Sequence, residues 1–257
     1  MFMNKSFCRL LSSLVLFMII WLPCAAFAEI KDLTATQWFE KGYAYEVNEK
    51  DYDNAILAYS KAIELNPQYA DVYNNRGLMY DRKGQHDLAI ADFSKEIEIN
   101  GKDADGYHNR GTAYGNKGQY DSAIADYSKA IELDPQYAKT YYNRGIFYVP
   151  KGQYDLAIAD FNKAIELDPQ YTKAYYNRGT IYSSQGQYDL AIADFSKTIE
   201  LDPQDAYCYY EKGRILILLG KNNEALECFY KFLKFATPGD QWIEVDKQLI
   251  RELGGVI

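Results

Sequence analysis

The sequence predicts an all-α protein, an α-solenoid of stacked antiparallel helix pairs, on three observations. The tetrapeptides Asn74-Asn75-Arg76-Gly77, His108-Asn109-Arg110-Gly111, Tyr142-Asn143-Arg144-Gly145 and Tyr176-Asn177-Arg178-Gly179 recur every 34 residues. Asp-Pro or Asn-Pro corners keep the same register at Asn66-Pro67, Asp134-Pro135, Asp168-Pro169 and Asp202-Pro203. Within one period, Tyr141, Gly145 and Tyr148 share a helical face by i, i+4, i+7 spacing, and Ala157, Phe161 and Ala164 share a second one. Each unit is therefore two helices. Pairs that cannot bury their own faces must stack, giving a right-handed superhelix in which each unit touches only its neighbours.

Residues 1–28 read as an address. Lys5 and Arg9 precede an apolar run, Leu10 to Leu22, and Ala26-Phe27-Ala28 supplies the small residues that a signal peptidase reads before Glu29. The alternative is an uncleaved anchor, since Leu10 to Ala28 carries no charge and is close to the length that spans a bilayer. Pro23 and the Ala-x-Ala ending favour cleavage, and Pro23 stands where a lipoprotein site at Cys24 would want a small residue. Cleavage takes Lys5 and Arg9 but no acidic residue, so the net charge of −8 becomes −10. The expected location is a bacterial periplasm or the exterior, with membrane contact only if the segment is retained. Cys208 and Cys228 are the cysteines left, in a compartment that permits disulfides.

Residues 29–34 lead into six units, 35–69, 70–103, 104–137, 138–171, 172–205 and 206–239. Thr34 to Gln37 reads as a capping box opening the first helix. Unit one carries an extra residue between Asn48 and Asp51. Lys151-Gly152 and its equivalents make the turn between paired helices, and the Asp-Pro corner ends the second helix because the residue before proline avoids the α region. Departures are local: Glu96 and Gly101 in unit two, Pro150 shortening the first helix of unit four, and Leu216 and a late Pro238 in unit six. Residues 240–257 hold a capping helix and tail, with Trp242, Val245, Leu249 and Ile250 placed to cover the last repeat. No stretch remains for a second domain, so a binding module is expected.

Arginine and aspartate come and go together. Arg76, Arg110, Arg144 and Arg178 accompany Asp92, Asp126, Asp160 and Asp194 sixteen residues on, whereas units one and six have Lys41 with Ala58 and Lys212 with Cys228. This co-occurrence predicts a helix-to-helix ion pair inside each middle repeat, a structural role. Cys208 and Cys228 lie on the two helices of the last repeat, and either a disulfide or two free core thiols fit the spacing.

An aromatic at the fourth position, glycine at the eighth, tyrosine at the eleventh, alanine at the twentieth, an aromatic at the twenty-fourth and proline at the thirty-second, as in Tyr141, Gly145, Tyr148, Ala157, Phe161 and Pro169, resembles the tetratricopeptide repeat from Ala35 to about Gly239. The resemblance implies a concave groove lined by first helices that binds an extended segment of a partner protein. It places Asn75, Asn109, Asn143 and Asn177 there as a ladder of amides able to donate to and accept from a peptide backbone; the alternative is that each bonds a neighbouring helix. Specificity is expected from Tyr142, Tyr176 and Tyr210 with Lys139, Lys173 and His108, and from Asp71 and Asp105 nearer the start, a polarity that would orient a ligand. The resemblance to carboxylate-clamp grooves is partial: Tyr142, Tyr176, Ile146 and Thr180 replace the residues that clamp needs. Most of the 25 tyrosines fall at packing positions of the repeat; Tyr43, Tyr142, Tyr176, Tyr207 and Tyr210 have a groove address.

Composition excludes several classes. With 48% hydrophobic and 25% charged residues the chain is neither disordered nor a multi-span membrane protein. Its negative charge disfavours nucleic acid and anionic lipid surfaces. Two histidines and four cysteines supply few metal ligands, and no nucleophile–base pair, phosphate loop or metal constellation points to an enzyme, a cofactor or a small-molecule substrate. The rival expectation is an accessory role in polysaccharide export or envelope assembly, with groove tyrosines stacking on sugar rings.

Overall fold

A computed structural model describes residues 33–256, in two compact units that run to Gly101 and from Lys102. The segment 1–28 lies outside the described residues. In the first unit α1 (Ala35–Ala44) pairs with α2 (Tyr52–Leu65), and α3 (Ala70–Arg82) with α4 (His86–Ile99). The second unit continues the pattern with α5 (Ala104–Asn116) and α6 (Tyr120–Leu133), α7 (Ala138–Tyr148) and α8 (Tyr154–Leu167), α9 (Thr172–Ser184) and α10 (Tyr188–Leu201), and α11 (Ala206–Leu218) and α12 (Asn222–Phe235). A final helix, α13 (Ile243–Glu252), packs on α12.

The local chemistry accounts for the boundaries. Thr34 accepts from the Gln37 N–H at 3.2 Å while the Gln37 side chain accepts from the Thr34 N–H at 2.9 Å, a reciprocal cap that opens α1. Asp168, extended because Pro169 follows, ends α8, and its Oδ1 accepts from the Gln170 N–H at 3.0 Å. The turn from α7 to α8 needs Gly152 in the left-handed region at φ 69°. The corresponding residue of unit one is Lys50, at φ 53°; there the extra residue is absorbed as a π-helical turn over Tyr45–Glu49. Pro150 stands in a 3₁₀ turn, Val149–Lys151, which stops α7 two residues short of its counterpart α9.

The core is built pair by pair. Tyr59, Phe93, Tyr127, Phe161, Phe195 and Phe229, one per repeat, have no exposed surface, and each full burial is worth roughly 1.5–3 kcal/mol. The close approach of paired helices depends on the facing glycine: a methyl on Gly145 would sit 2.7 Å from Phe161 Cε1. The capping helix differs from expectation. Ile250 is buried and Leu249 half-buried, but Val245 remains open to solvent because the helix is rotated to turn Asp246 inward, and Trp242, at the outer end of that inward face, keeps 38% of its surface exposed.

Candidate functional site

Arginine and aspartate join paired helices in both units. In the first, Arg76 Nε and Nη2 each lie 2.7 Å from an Asp92 oxygen, and Nη1 donates to Ser60 Oγ at 2.9 Å. In the second, Arg110 meets Asp126 at 2.7 and 2.8 Å, Arg144 meets Asp160 at 2.8 and 2.7 Å, and Arg178 meets Asp194 at 2.8 and 2.6 Å. The carboxylates are buried, and the Arg144 guanidinium lies between the Tyr141 and Tyr148 rings. Burial pulls the Arg144 pKa down, but Asp160 outweighs it and the cation is held above its ordinary value. The third nitrogen reaches the preceding repeat: Arg144 to Ser128 at 2.9 Å, Arg178 to Asn162, and in the last repeat Lys212 to Ser196 at 2.9 Å.

The asparagines are not equivalent. Asn75, in the first unit, accepts from Asn74 at 3.4 Å. In the second unit Asn109 is half-buried, and Asn143 Nδ2 lies 3.5 Å from His108 Nε2. Asn177 donates to the Tyr142 hydroxyl at 3.1 Å and to the Lys173 carbonyl at 2.9 Å, so its unspent group is the carbonyl oxygen.

Two expected groove residues belong to the interior. His108 is buried, its Nδ1 2.8 Å from Thr140 Oγ1 and its ring against Tyr127 and Tyr137. Burial, with Lys139 adding to it, pushes its pKa down to about 4, so it is a neutral core group. Tyr210 is 5% exposed, its ring 5.3 Å from Phe232 and 5.4 Å from Trp242. The row of three open tyrosines that stacking on sugar rings requires is thus reduced to Tyr142 and Tyr176, both half-buried. Among the charged positions Asp71 is exposed in the first unit; in the second, Lys139 and Lys173 are exposed, and Lys139 lies within electrostatic reach of Asp105, which burial and the Asp103 and Asp134 charges raise above the usual carboxylate range. Cationic and acidic positions are therefore mixed around Lys139. No disulfide joins Cys208 and Cys228. Both are buried thiols, and they occupy different clusters, Cys208 beside Ala191 and Phe195 of the preceding repeat and Cys228 beside Phe229 and Phe232. Burial pushes the Cys228 thiol up to about 11.

The second unit opens a cavity of about 400 Å³ walled by Tyr142, Tyr176 and Tyr207, with Lys173, Asn177, Asp205 and Thr172 completing it. Its cause is one substitution in the repeat. The last residue of the unit is a tyrosine in units one, three and four, and it covers the fifth-position ring of its own unit: Tyr69 lies 5.4 Å from Phe39, Tyr137 lies 5.1 Å from His108 and Tyr171 lies 4.9 Å from Tyr142. In unit five that residue is Asp205, whose Oδ1 instead caps α11 at the Cys208 N–H, 3.0 Å away. The face of Tyr176 is left open. Tyr207 stands on the far wall, 49% exposed, its hydroxyl donating to Asp240 at 2.6 Å. The irregular Asp205 was the signal in the sequence for this cavity. Among the described residues no group of three or more His, Cys, Asp or Glu is arranged to hold a metal ion, and no helix is long and apolar enough to cross a membrane.

Family models described as tetratricopeptide repeat match residues 70–103, 104–137 and 172–205, and 127–159 and 195–227; another, described as TPR repeat, matches 42–84 and 147–186. The chain is a tetratricopeptide repeat protein. Among solved structures, MamA is 29% identical, with 63% of this chain and 95% of that one covered at a TM-score of 0.59. YrrB, described as a TPR protein with an unusual peptide-binding site, is 26% identical over 74% of this tetratricopeptide chain and 98% of its own, at a TM-score of 0.62. PilF of Pseudomonas aeruginosa, 16% identical over 85% and 96% at a TM-score of 0.71, shares the fold. Among curated proteins no match is found.

Proposed function

We propose that this tetratricopeptide repeat scaffold is exported and binds an extended segment of a partner protein over α7, α9 and α11, seating one side chain in the cavity beside Tyr176. The observation that carries this reading is the missing thirty-fourth tyrosine. Asp205 leaves an aromatic face open in a site that offers an ammonium at Lys173, a carbonyl oxygen at Asn177 and a hydroxyl at Tyr142, the mixture of donors and acceptors that suits a peptide backbone and one flat or apolar side chain. The similarity to YrrB, itself described as having a peptide-binding site, supports the same class of ligand. The ladder contributes at Asn177, with Asn143 of α7 in a supporting role. Export rests on the sequence of residues 1–28.

The decisive substitution is Asp205→Tyr, which restores the covering ring and fills the cavity. α3, α7 and α9 follow a tyrosine with no side-chain cap, so α11 is expected to form without Asp205. Peptides selected from a random display library on the full chain should lose at least tenfold in affinity for Asp205→Tyr and for Lys173→Glu, and keep it for Tyr43→Ala in the first unit. Equal binding to Asp205→Tyr would reject the site. Protein recovered from the exported fraction should begin at Glu29; full-length protein held in the cytoplasm would reject export.

A further inference from the structure

The C-terminal helix holds a carboxylic acid where an apolar residue is expected. Asp246 has no exposed surface, and among the described residues neither of its oxygens has a hydrogen-bond partner. It lies one helical turn from Ile250 and its N–H bonds the Trp242 carbonyl at 2.8 Å, so Trp242, Asp246 and Ile250 share one face of α13. That face meets the last repeat: Ile250 is buried with Leu216, Phe229 and Phe232, and the Trp242 ring lies tilted against Tyr210. An ionised carboxylate without a partner in such a place is strongly disfavoured, whereas a protonated one is tolerated.

The groups around it offer no compensating charge. From α11 the titratable group that senses Asp246 is the Tyr210 phenol, with Glu211 and Arg214 acting on that same phenol. From α12 the shared cluster presents Phe229, Phe232 and the Cys228 thiol, on which Lys212 acts most strongly among the charges, opposed by Glu227 and Glu224. On α13 itself Lys247 is engaged by Glu244 at 2.7 Å. Burial alone raises the Asp246 carboxyl to about 7.

We propose that α13 is a pH-responsive lid on the last repeat, docked with Asp246 protonated and loosened when that carboxyl ionises, which uncovers the apolar face of Leu216, Phe229 and Phe232. The sign follows from proton counting. Between the ordinary aspartate value of 3.8 and about 7 the docked helix holds a proton that the undocked helix lacks, so each unit rise in pH weakens docking about tenfold. Below that window both forms are protonated and docking is at full strength; above it both are ionised and the loss is complete.

Hydrogen exchange of the α13 amides in the full chain, corrected for intrinsic rates, reads the docking equilibrium directly. From pH 5 to pH 8 the opening equilibrium of residues 243–252 should rise about 100-fold and then level, while the amides of α5 to α8 stay level. Asp246→Asn, and independently Asp246→Leu, should hold α13 within about threefold across the same range, which keeps the test intact if one variant folds poorly. A flat wild-type profile, an equal rise in both variants, or a parallel rise throughout the second unit would overturn the lid.

Discussion

Replacing Arg144 by alanine tests the inter-helix ion pair at its best-defined copy. The change removes two short bonds to Asp160, at 2.8 and 2.7 Å, and the bond to Ser128 at 2.9 Å, and leaves without its counter-ion a carboxylate on a residue that is 5% exposed. Stranding a buried charge costs about 3–5 kcal/mol, and the lost Ser128 bond about 1 more. For a unit of this size each kcal/mol lowers the midpoint by roughly 2–4 °C, so a fall of about 8–24 °C is expected in thermal unfolding followed by circular dichroism. The control is the double variant Arg144→Lys with Asp160→Ala. It reproduces the arrangement that the chain already uses, Lys41 with Ala58 and Lys212 with Cys228, and Lys212 still reaches Ser196. It should lose no more than about 2 kcal/mol because no buried carboxylate is stranded and the ammonium can donate to Ser128 as Lys212 does to Ser196. An unchanged midpoint for Arg144→Ala, or a double variant as damaged as the single one, would refute the argument.

Two further outcomes can be measured by urea titration. Lys50 is the described non-glycine residue at positive φ, in a turn where the other repeats have glycine, so Lys50→Gly should stabilise the first unit by about 1 kcal/mol; a loss of stability would contradict the strain assigned to that turn. His108, buried neutral with a pKa near 4, gives up stability as pH falls from about 6.5 toward 4, because the unfolded imidazole takes a proton that the folded one refuses. The full span is about 3 kcal/mol, and His108→Gln should remove most of that slope; a variant as acid-sensitive as the wild type would place the dependence elsewhere.

Much of the fold was legible because copying a unit amplifies weak signals. One Asp-Pro pair or one glycine says little, but α3, α5, α7, α9 and α11 begin at Ala70, Ala104, Ala138, Thr172 and Ala206, where the 34-residue register places the unit starts. The Arg–Asp pairing was readable for a different reason: two irregular units lacked both members at once. What escaped the sequence depends on the neighbour across the corner. His108 and Tyr210 hold the same repeat position as Tyr142, yet Thr140 accepts the first into the core and Trp242 covers the second. The cysteines failed to meet because the third position of a repeat faces the helix before it, which spacing inside one repeat does not reveal. In the capping helix no copy exists to fix the rotation, and turning it by one residue, about 100° about its axis, exchanges Val245 for Asp246 at the core.

The third nitrogen of Arg144 and of Arg178 carries a consequence for how such a chain changes length. Arg144 grips Ser128, Arg178 grips Asn162 and Lys212 reaches Ser196, each sixteen residues back, so units four and five each bring a hook at the seventh position and an eye at the twenty-fifth. Duplicating one 34-residue segment duplicates both halves of the fastening in register. A unit gained or lost between α5 and α10 would thus find its neighbours already fitted to it, and the number of repeats can drift without any new interface having to be invented.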